Sequence, residues 1–186
     1  MQDFFGVSDT YCHKKMKFVD NLATNVVKLL RDNNMKLSLA ESCTGGMLSQ
    51  AVTSVPGASE IFELGICCYS DRIKINELGV SKDIIEKHSA VSREVALALA
   101  KGIALKAGAD IGVGITGYAG PGGGTDQKPV GTVFVCVYYG PDDFCVENLK
   151  LYETEKNLSR EKIRIISTEK ALLMISNILL RKEELK

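Results

Sequence analysis

The sequence predicts a single α/β domain with helices on both faces of a mixed sheet, a three-layer α/β/α sandwich. A chain of 186 residues fits one domain, and its 45% apolar residues are enough for a core. Segments with a helical apolar period alternate with short strand-like runs along most of the chain. One hairpin near the C-terminal end adds antiparallel strands, so we expect a mixed sheet.

The first half of the chain contains five predicted elements after a tail. Residues 1–15 show no apolar period and are expected to be a loose tail, which leaves 16–186 for the domain. Apolar residues at three- and four-residue steps predict the first helix, and alternation or β-forming residues predict the strands. The elements, in order, are a helix over about 18–30, a strand over 36–40, a helix over about 45–52, a strand over 61–69 and a helix over 70–78.

The second half follows the same alternation and ends in a hairpin and a long helix. Ser92 is expected to start one helix and Gly108 to end it. The strongly apolar run 132–139 predicts a strand that pairs with the next one through a turn. The elements, in order, are helices over about 82–88 and 92–107, a strand over 111–116, a glycine loop over 117–131, strands over 132–139 and 144–151 joined by a turn at 140–143, and a helix over about 159–180.

Composition excludes several classes of function. Equal numbers of acidic and basic residues, 23 each, and no dense basic cluster argue against a nucleic-acid partner. The six cysteines form no C-x-x-C pair and there are only two histidines, so no metal site is expected. Without a signal-peptide pattern or an apolar run of about 20 residues, we expect a cytoplasmic protein with no membrane association. A symmetric homo-oligomer is compatible with such a protein.

The run AESCTGG at 40–46 is the first candidate site, because a predicted strand ends there and a predicted helix begins. Ser42 would be exposed at the turn, and backbone N–H groups of Thr44, Gly45 and Gly46 would point outward toward an oxyanion or a phosphate. The alternative is that Ser42 or Thr44 only caps the helix.

The run YSDRIK at 69–74 is the second candidate, at the carboxyl end of a predicted strand, where α/β proteins place ligands. Tyr69 would relay a proton and Lys74 would act as a general base. A lysine does this only in its neutral form, which burial or a neighbouring cation such as Arg72 favours. The alternative is that Tyr69 packs and Lys74 is solvated.

The glycine loop 117–131 is the third candidate. Glycines let a backbone approach a ligand closely, and consecutive N–H groups form an anion-binding nest. A mobile linker is the alternative, against which Pro121 and Pro129 stiffen the loop. The residues expected to contact substrate are Gly117, Gly120, Gly122, Gly123, Gly124, Thr125 and Lys128, the last through its charge.

Residues 112–117 match G-x-G-x-x-G by spacing, yet they do not predict a dinucleotide site. That fingerprint needs its glycines after a strand and at the start of a helix. Here the glycines lie within a predicted strand, and a glycine- and proline-rich loop follows it.

Together, the runs AESCTGG, YSDRIK, GITGYAGPGGGT and KPVGTV resemble the CinA C-terminal domain family, also called the nicotinamide-nucleotide amidohydrolase family. The resemblance extends from about Lys17 to Leu180. It implies a three-layer α/β/α fold and hydrolysis of nicotinamide mononucleotide to nicotinate mononucleotide and ammonia, with a small nucleotide as partner and no metal or organic cofactor. It also implies that Ser42, Tyr69 and Lys74 are the catalytic residues.

Two positions depart from the pattern of the family. Tyr118 stands where a smaller branched residue is usual, and we expect its ring to narrow the site. Arg72 stands where an acidic residue is common. A nucleotide-binding homologue without activity and a hydrolase of a different small amide therefore remain as alternatives.

Overall fold

The computed structural model describes residues 6–140 and 143–184, with side chains from 10 to 140 and from 143 to 181. Over these residues five strands form one sheet in the order β2-β1-β3-β4-β5. Strands β1, β2 and β3 are parallel, and β4 and β5 run antiparallel, so the predicted mixed sheet is confirmed. The strands are β1 Leu37–Glu41, β2 Phe62–Cys67, β3 Ile111–Gly117, β4 Val133–Tyr138 and β5 Phe144–Asn148.

Helices cover both faces of this sheet. Helices α1, α2 and α7 pack on one face, and α3, α4 and α5 on the other, which confirms the three-layer sandwich. In the described part of the chain, no helix has both the length and the apolar character needed to cross a bilayer. The helices are α1 Gly6–Asp32, α2 Met47–Thr53, α3 Asp71–Leu78, α4 Lys82–His88, α5 Arg93–Ala107, α6 Leu151–Thr154 and α7 Arg160–Glu184, with a 3₁₀ turn at Ala58–Glu60.

Glycines in β3 let α5 lie directly on the sheet. A Cβ atom built on Gly112 would lie 2.0 Å from the carbonyl oxygen of Ala100, and one on Gly114 would lie 2.2 Å from that of Ala96. No other residue fits these positions because the backbone of the helix occupies the space. The G-x-G-x-x-G match is thus part of a strand, as predicted, and serves helix packing.

Two helices begin and end at the residues that the sequence indicates. The hydroxyl of Ser70 accepts a hydrogen bond from the Ile73 N–H and caps α3, which ends at Gly79 in the left-handed conformation. Ser92 caps α5 in the same way, and Gly108 ends it with φ of 64°. Because these signals are local, they can be read without knowing the fold.

The tail predicted for residues 1–15 is wrong where the structure describes it. Helix α1 already begins at Gly6; residues 1–5 lie outside the described residues. The Nζ atom of Lys15 lies 2.7 Å from a carboxylate oxygen of Glu169 on α7. Contacts with another helix stabilise these first turns, and they are therefore helical although their sequence shows no apolar period.

The predicted hairpin is confirmed, but its second strand is shorter than expected. Strand β5 pairs antiparallel with β4 and ends at Asn148, and α6 follows instead of further strand. Lys150 takes a left-handed conformation with φ of 44° and so ends the extended backbone. Of the turn predicted at 140–143, positions 141 and 142 lie outside the described residues.

Candidate active site

A cavity of about 190 Å³ opens at the carboxyl ends of the three parallel strands. This edge is where open α/β sheets bind ligands, because several strand ends and the loops after them converge there. The wall of the cavity includes Ser42, Tyr69, Lys74, Thr116, Gly117 and Arg160. The three residues predicted to be catalytic therefore line one cavity.

Ser42 lies directly after β1, where its N–H donates to the carbonyl of Ile115 on β3 at 3.0 Å. Its side chain lines the cavity, although only 9% of the residue is exposed. The residue that caps α2 is Gly46, with φ of 90° and no side-chain hydrogen bond. The alternative that Ser42 or Thr44 caps this helix is therefore wrong, and the Ser42 hydroxyl faces the cavity instead.

The buried carboxylate of Glu41 occupies the N-terminus of α2. It accepts hydrogen bonds from the N–H groups of Gly46, Leu48 and Ser49, at 3.1, 3.0 and 2.7 Å. The Gly45 N–H donates to the carbonyl of Ser42 at 3.1 Å. Since both glycine N–H groups are engaged within the protein, the anion-binding role predicted for them disagrees with the structure.

Thr44 contributes its backbone to the site and not its side chain. The side chain is fully buried and lies outside the wall of the cavity. Its carbonyl oxygen accepts hydrogen bonds from Nε and Nη2 of Arg164 on α7, at 3.0 and 2.9 Å. Thr44 therefore ties the turn after Ser42 to α7, and the substrate contact predicted for its N–H group gains no support.

Lys74 extends from the first turn of α3 into the cavity and is only 2% exposed. Its Nζ donates to a carboxylate oxygen of Asp71 at 3.1 Å and to the carbonyl of Tyr69 at 3.3 Å. Arg72, expected to supply a neighbouring cation, is exposed and outside the wall. The charged neighbour of Lys74 is therefore an anion, Asp71, and the expectation for Arg72 is wrong.

Arg160 joins Tyr69 to the glycine loop. Its Nη2 donates to the Tyr69 hydroxyl at 2.8 Å, and its Nη1 donates to the carbonyl of Gly120 at 2.7 Å. Sequence reasoning missed this residue, which lies 91 positions from Tyr69. One signal was available: an arginine in the first turn of α7 opposes the helix dipole, so it needs another partner there.

The glycine loop reaches the cavity through its first residues. Gly117 lines the wall, and Gly120 holds Arg160 through its carbonyl. Four other residues of the loop predicted to contact substrate lie outside the wall of this cavity: Gly122, Gly123, Gly124 and Thr125.

Tyr118 does not narrow the cavity, contrary to expectation. Gly117 and Ala119 face the cavity, whereas the residue between them does not. The Tyr118 ring lies instead toward Gly123, where an added Cβ atom would be 3.5 Å from the ring carbon Cδ1. Alternation of side chains along extended backbone turns the ring away from the site.

Lys128 is engaged within the protein. Its Nζ donates to the carbonyl of His88 at 2.8 Å, to the hydroxyl of Ser89 at 2.8 Å and to the carbonyl of Val91 at 2.7 Å. A lysine has three N–H donors, and all three are used here. The substrate contact predicted for the charge of Lys128 therefore disagrees with the structure.

Cys43 is the other side chain with nucleophile chemistry in the wall. Burial raises the pKa of the Cys43 thiol to about 12, so the thiol stays protonated near neutral pH. The thiolate is the nucleophilic form, which leaves Ser42 as the candidate nucleophile. Among the described residues, no group of three or more His, Cys, Asp or Glu side chains is placed to hold a metal ion.

These features define an α/β sandwich with a serine, a buried lysine and an arginine at the carboxyl ends of its parallel strands. The chain belongs to the CinA family: the model of the CinA C-terminal domain matches residues 19–179.

Two curated relatives match this chain over part of their own length. The CinA-like protein of Thermotoga sp. strain RQ2 is 47% identical over 137 residues, which are 74% of this chain and 31% of that protein. The CinA-like protein of Syntrophotalea carbinolica is 52% identical over 118 residues, which are 63% of this chain and 29% of that protein. The chain spans about a third of the length of these relatives.

Solved structures share the fold over nearly their whole length. The competence/damage inducible protein CihA of Agrobacterium tumefaciens matches with a TM-score of 0.80 at 31% identity, covering 84% of this chain and 93% of that chain. A CinA superfamily protein of Klebsiella pneumoniae matches with a TM-score of 0.81 at 30% identity, covering 88% and 98%.

Proposed function

We propose that this protein hydrolyses the carboxamide of nicotinamide mononucleotide to nicotinate mononucleotide and ammonia. The observation that carries the proposal is the convergence of Ser42, Lys74 and Arg160 on one cavity, with Tyr69 bound to Arg160. A hydroxyl nucleophile, a buried amine and cationic donors are the groups that acyl transfer from an amide requires.

In the first step, the Ser42 oxygen attacks the carboxamide carbon and Lys74, acting in its neutral form, takes the hydroxyl proton. A carbon–oxygen bond forms, and negative charge develops on the carboxamide oxygen. Lys74 lines the same cavity and, once it carries the serine proton, would stabilise that charge. Donors of this kind contribute about 3–4 kcal/mol each in known acyl-transfer sites.

In the second step, the carbon–nitrogen bond breaks and Lys74 returns its proton to the departing nitrogen, which leaves as ammonia. A water molecule then attacks the nicotinoyl ester, and Lys74 accepts one proton from that water. The ester bond to Ser42 breaks, Lys74 returns that proton to the serine oxygen, and the new carboxyl group loses the second proton of the water to the ammonia as nicotinate mononucleotide leaves. Water is the one co-reactant, so atoms and charges balance.

The shape and charge of the cavity support a ligand with a flat ring and an anionic end. Ala90, Val91 and Ala119 give the wall an apolar part that suits a pyridine ring. Lys74 is buried, whereas Arg160 is exposed at the cavity and would be the cation available to the anionic end of the ligand.

The test is ammonia release from nicotinamide mononucleotide by the wild type, Ser42→Ala and Lys74→Ala. Exposed Ser54 and Lys82 provide the matched controls Ser54→Ala and Lys82→Ala. We expect kcat to fall by about 10³-fold or more in both site variants and to stay unchanged in both controls. Equal activity of wild type and Ser42→Ala would remove Ser42 as the nucleophile.

Binding of the nucleotide without hydrolysis by a folded wild type would point to a nucleotide-binding homologue without activity. Hydrolysis of another small amide, lost in Ser42→Ala, would keep the mechanism and change the substrate.

A further inference from the structure

The segment from His88, the last residue of α4, to Val91 forms part of the wall of the cavity, and its residues 89–91 have no regular secondary structure. Ala90 and Val91 contribute side chains to that wall. Ser89 has a positive φ of 67° with ψ of 161°, a backbone conformation that a residue with a side chain adopts only when its surroundings hold it there. A hydrogen bond within the segment, from the Ser89 hydroxyl to the carbonyl of Val91 at 3.2 Å, and contacts from outside the segment hold this shape together.

Two side chains from other parts of the site hold the segment. The hydroxyl of Thr116, at the end of β3, donates to the carbonyl of Ala90 at 2.7 Å. The Nζ of Lys128 reaches the segment from the glycine loop and binds three of its oxygen atoms at 2.7–2.8 Å. Lys128 bonds to positions 88, 89 and 91, and Thr116 bonds to position 90 between them.

The backbone of Lys128 is fixed as well. Its N–H donates to the hydroxyl of Thr125 at 3.0 Å, and its carbonyl accepts from the Thr125 N–H at 2.9 Å. The lysine thus starts from a closed turn in the glycine loop. Because both its backbone and its Nζ atom are held, the Lys128 side chain can connect the glycine loop to the segment before α5.

We propose that Lys128 is a positioning residue that ties the glycine loop to the 88–91 wall and thereby sets the apolar surface formed by Ala90 and Val91. The ligand chemistry rests on the proposed function: this surface would receive the pyridine ring. Lys128 does not contact the phosphate, because neutral oxygens of the protein take its three donors. Its loss loosens the wall and weakens binding of the ring, whether or not a phosphate is attached.

The first experiment measures hydrogen exchange in the ligand-free protein and does not depend on activity. Lys128→Met keeps the length of the side chain and removes its donors, and Lys128→Arg restores donors. Lys101→Met, on the exposed face of α5, is the matched control. We expect amides of 88–92 and of 122–130 to exchange about tenfold faster in Lys128→Met, with partial recovery in Lys128→Arg and no change in the control. Unchanged exchange in Lys128→Met would overturn the proposal.

The second experiment compares nicotinamide mononucleotide with nicotinamide riboside, which lacks the phosphate. We expect Lys128→Met to raise KM for both compounds by the same factor, about tenfold, with kcat changed less than about threefold. A rise for the nucleotide alone would show a phosphate contact and overturn the proposal. A lower kcat at unchanged KM would show only a loss of folded enzyme and would also overturn it.

If the wild type hydrolyses neither compound, the same comparison is made with dissociation constants from calorimetry. If the proposed function is wrong, turnover is missing. If Lys128 does not hold the 88–91 wall, hydrogen exchange in Lys128→Met is unchanged.

Discussion

Strand β3 places Gly112 and Gly114 beneath α5, whereas the glycine loop that follows places Gly120 and Gly123 in the left-handed region of the backbone. In the strand, the absence of a side chain matters because the helix backbone comes within 2.0–2.2 Å of the missing Cβ atoms. In the loop, φ values of 77° and 93° are what only glycine adopts readily. The two neighbouring regions therefore use the same residue for different physical reasons.

This difference shows that the spacing of glycines does not identify their role. Overlap with a packed helix cannot be relieved, whereas an unfavourable φ costs a limited amount of energy. Substitutions with alanine should therefore separate the two regions.

Gly114→Ala is expected to have the largest effect. Its Cβ would lie 2.2 Å from the Ala96 oxygen and 2.6 Å from the Ala100 nitrogen, both backbone atoms that cannot move aside. We expect the free energy of unfolding to fall by about 3 kcal/mol or more, measured by urea denaturation. A loss below about 1 kcal/mol would mean that α5 does not pack this closely on β3.

Gly120→Ala is expected to have an intermediate effect. The substitution forces a side chain into a left-handed conformation and moves the γ1 methyl of Val130, which lies 2.7 Å from the new Cβ atom. We expect a loss of about 1–2 kcal/mol in the free energy of unfolding. We also expect a lower kcat/KM, because the Gly120 carbonyl holds Arg160. If stability falls but kcat/KM is unchanged, the hydrogen bond between Arg160 and the Gly120 carbonyl does not contribute to catalysis.

Gly123→Ala is expected to cost about 1 kcal/mol, for its φ alone, because the new Cβ atom meets the Tyr118 ring at an ordinary contact distance of 3.5 Å. Since neither residue is in the wall of the cavity, we expect the KM for nicotinamide mononucleotide to stay unchanged. A raised KM in this variant, and in Tyr118→Val, would place the ring in the substrate site after all.

Gly122→Ala is expected to have the smallest effect, since the space around its Cβ position is open to 4 Å. We expect the free energy of unfolding to change by less than about 0.5 kcal/mol, with KM unaffected. A raised KM at unchanged stability would show that Gly122 contacts the substrate, as the sequence predicts.

What could be predicted from the sequence follows from how local each signal is. Ser70 and Gly108 mark helix ends through contacts within one turn, and the structure confirms them. The sequence indicates Ser42 and Lys74 as candidate site residues because each lies in a short motif that follows a predicted strand. Arg160 and Arg164 were missed because their roles arise only when α7 docks on the sheet, 120 residues from Thr44 in the case of Arg164.

Lys128 is a residue whose role the sequence predicts incorrectly, again because its partners are distant in the chain. A lysine in a glycine-rich loop indicates an anion site, and nothing in the loop itself argues otherwise. Its partners lie 37–40 positions earlier, in the segment before α5. Glu41 is similar, since a carboxylate before a glycine turn does not reveal that it will bind the start of α2. The role of a side chain that joins two distant segments can be predicted only once the fold is known.

The docking of α7 also has a consequence for the order in which the protein is made. Ser42, Lys74 and Thr116 precede Arg160 and Arg164 in the chain and therefore leave the ribosome before them. A growing chain that stops before α7 holds the serine and the lysine without the guanidinium groups that complete the cavity and fix its turn. The cavity that carries the proposed function is therefore complete only once α7 has been synthesised and packed.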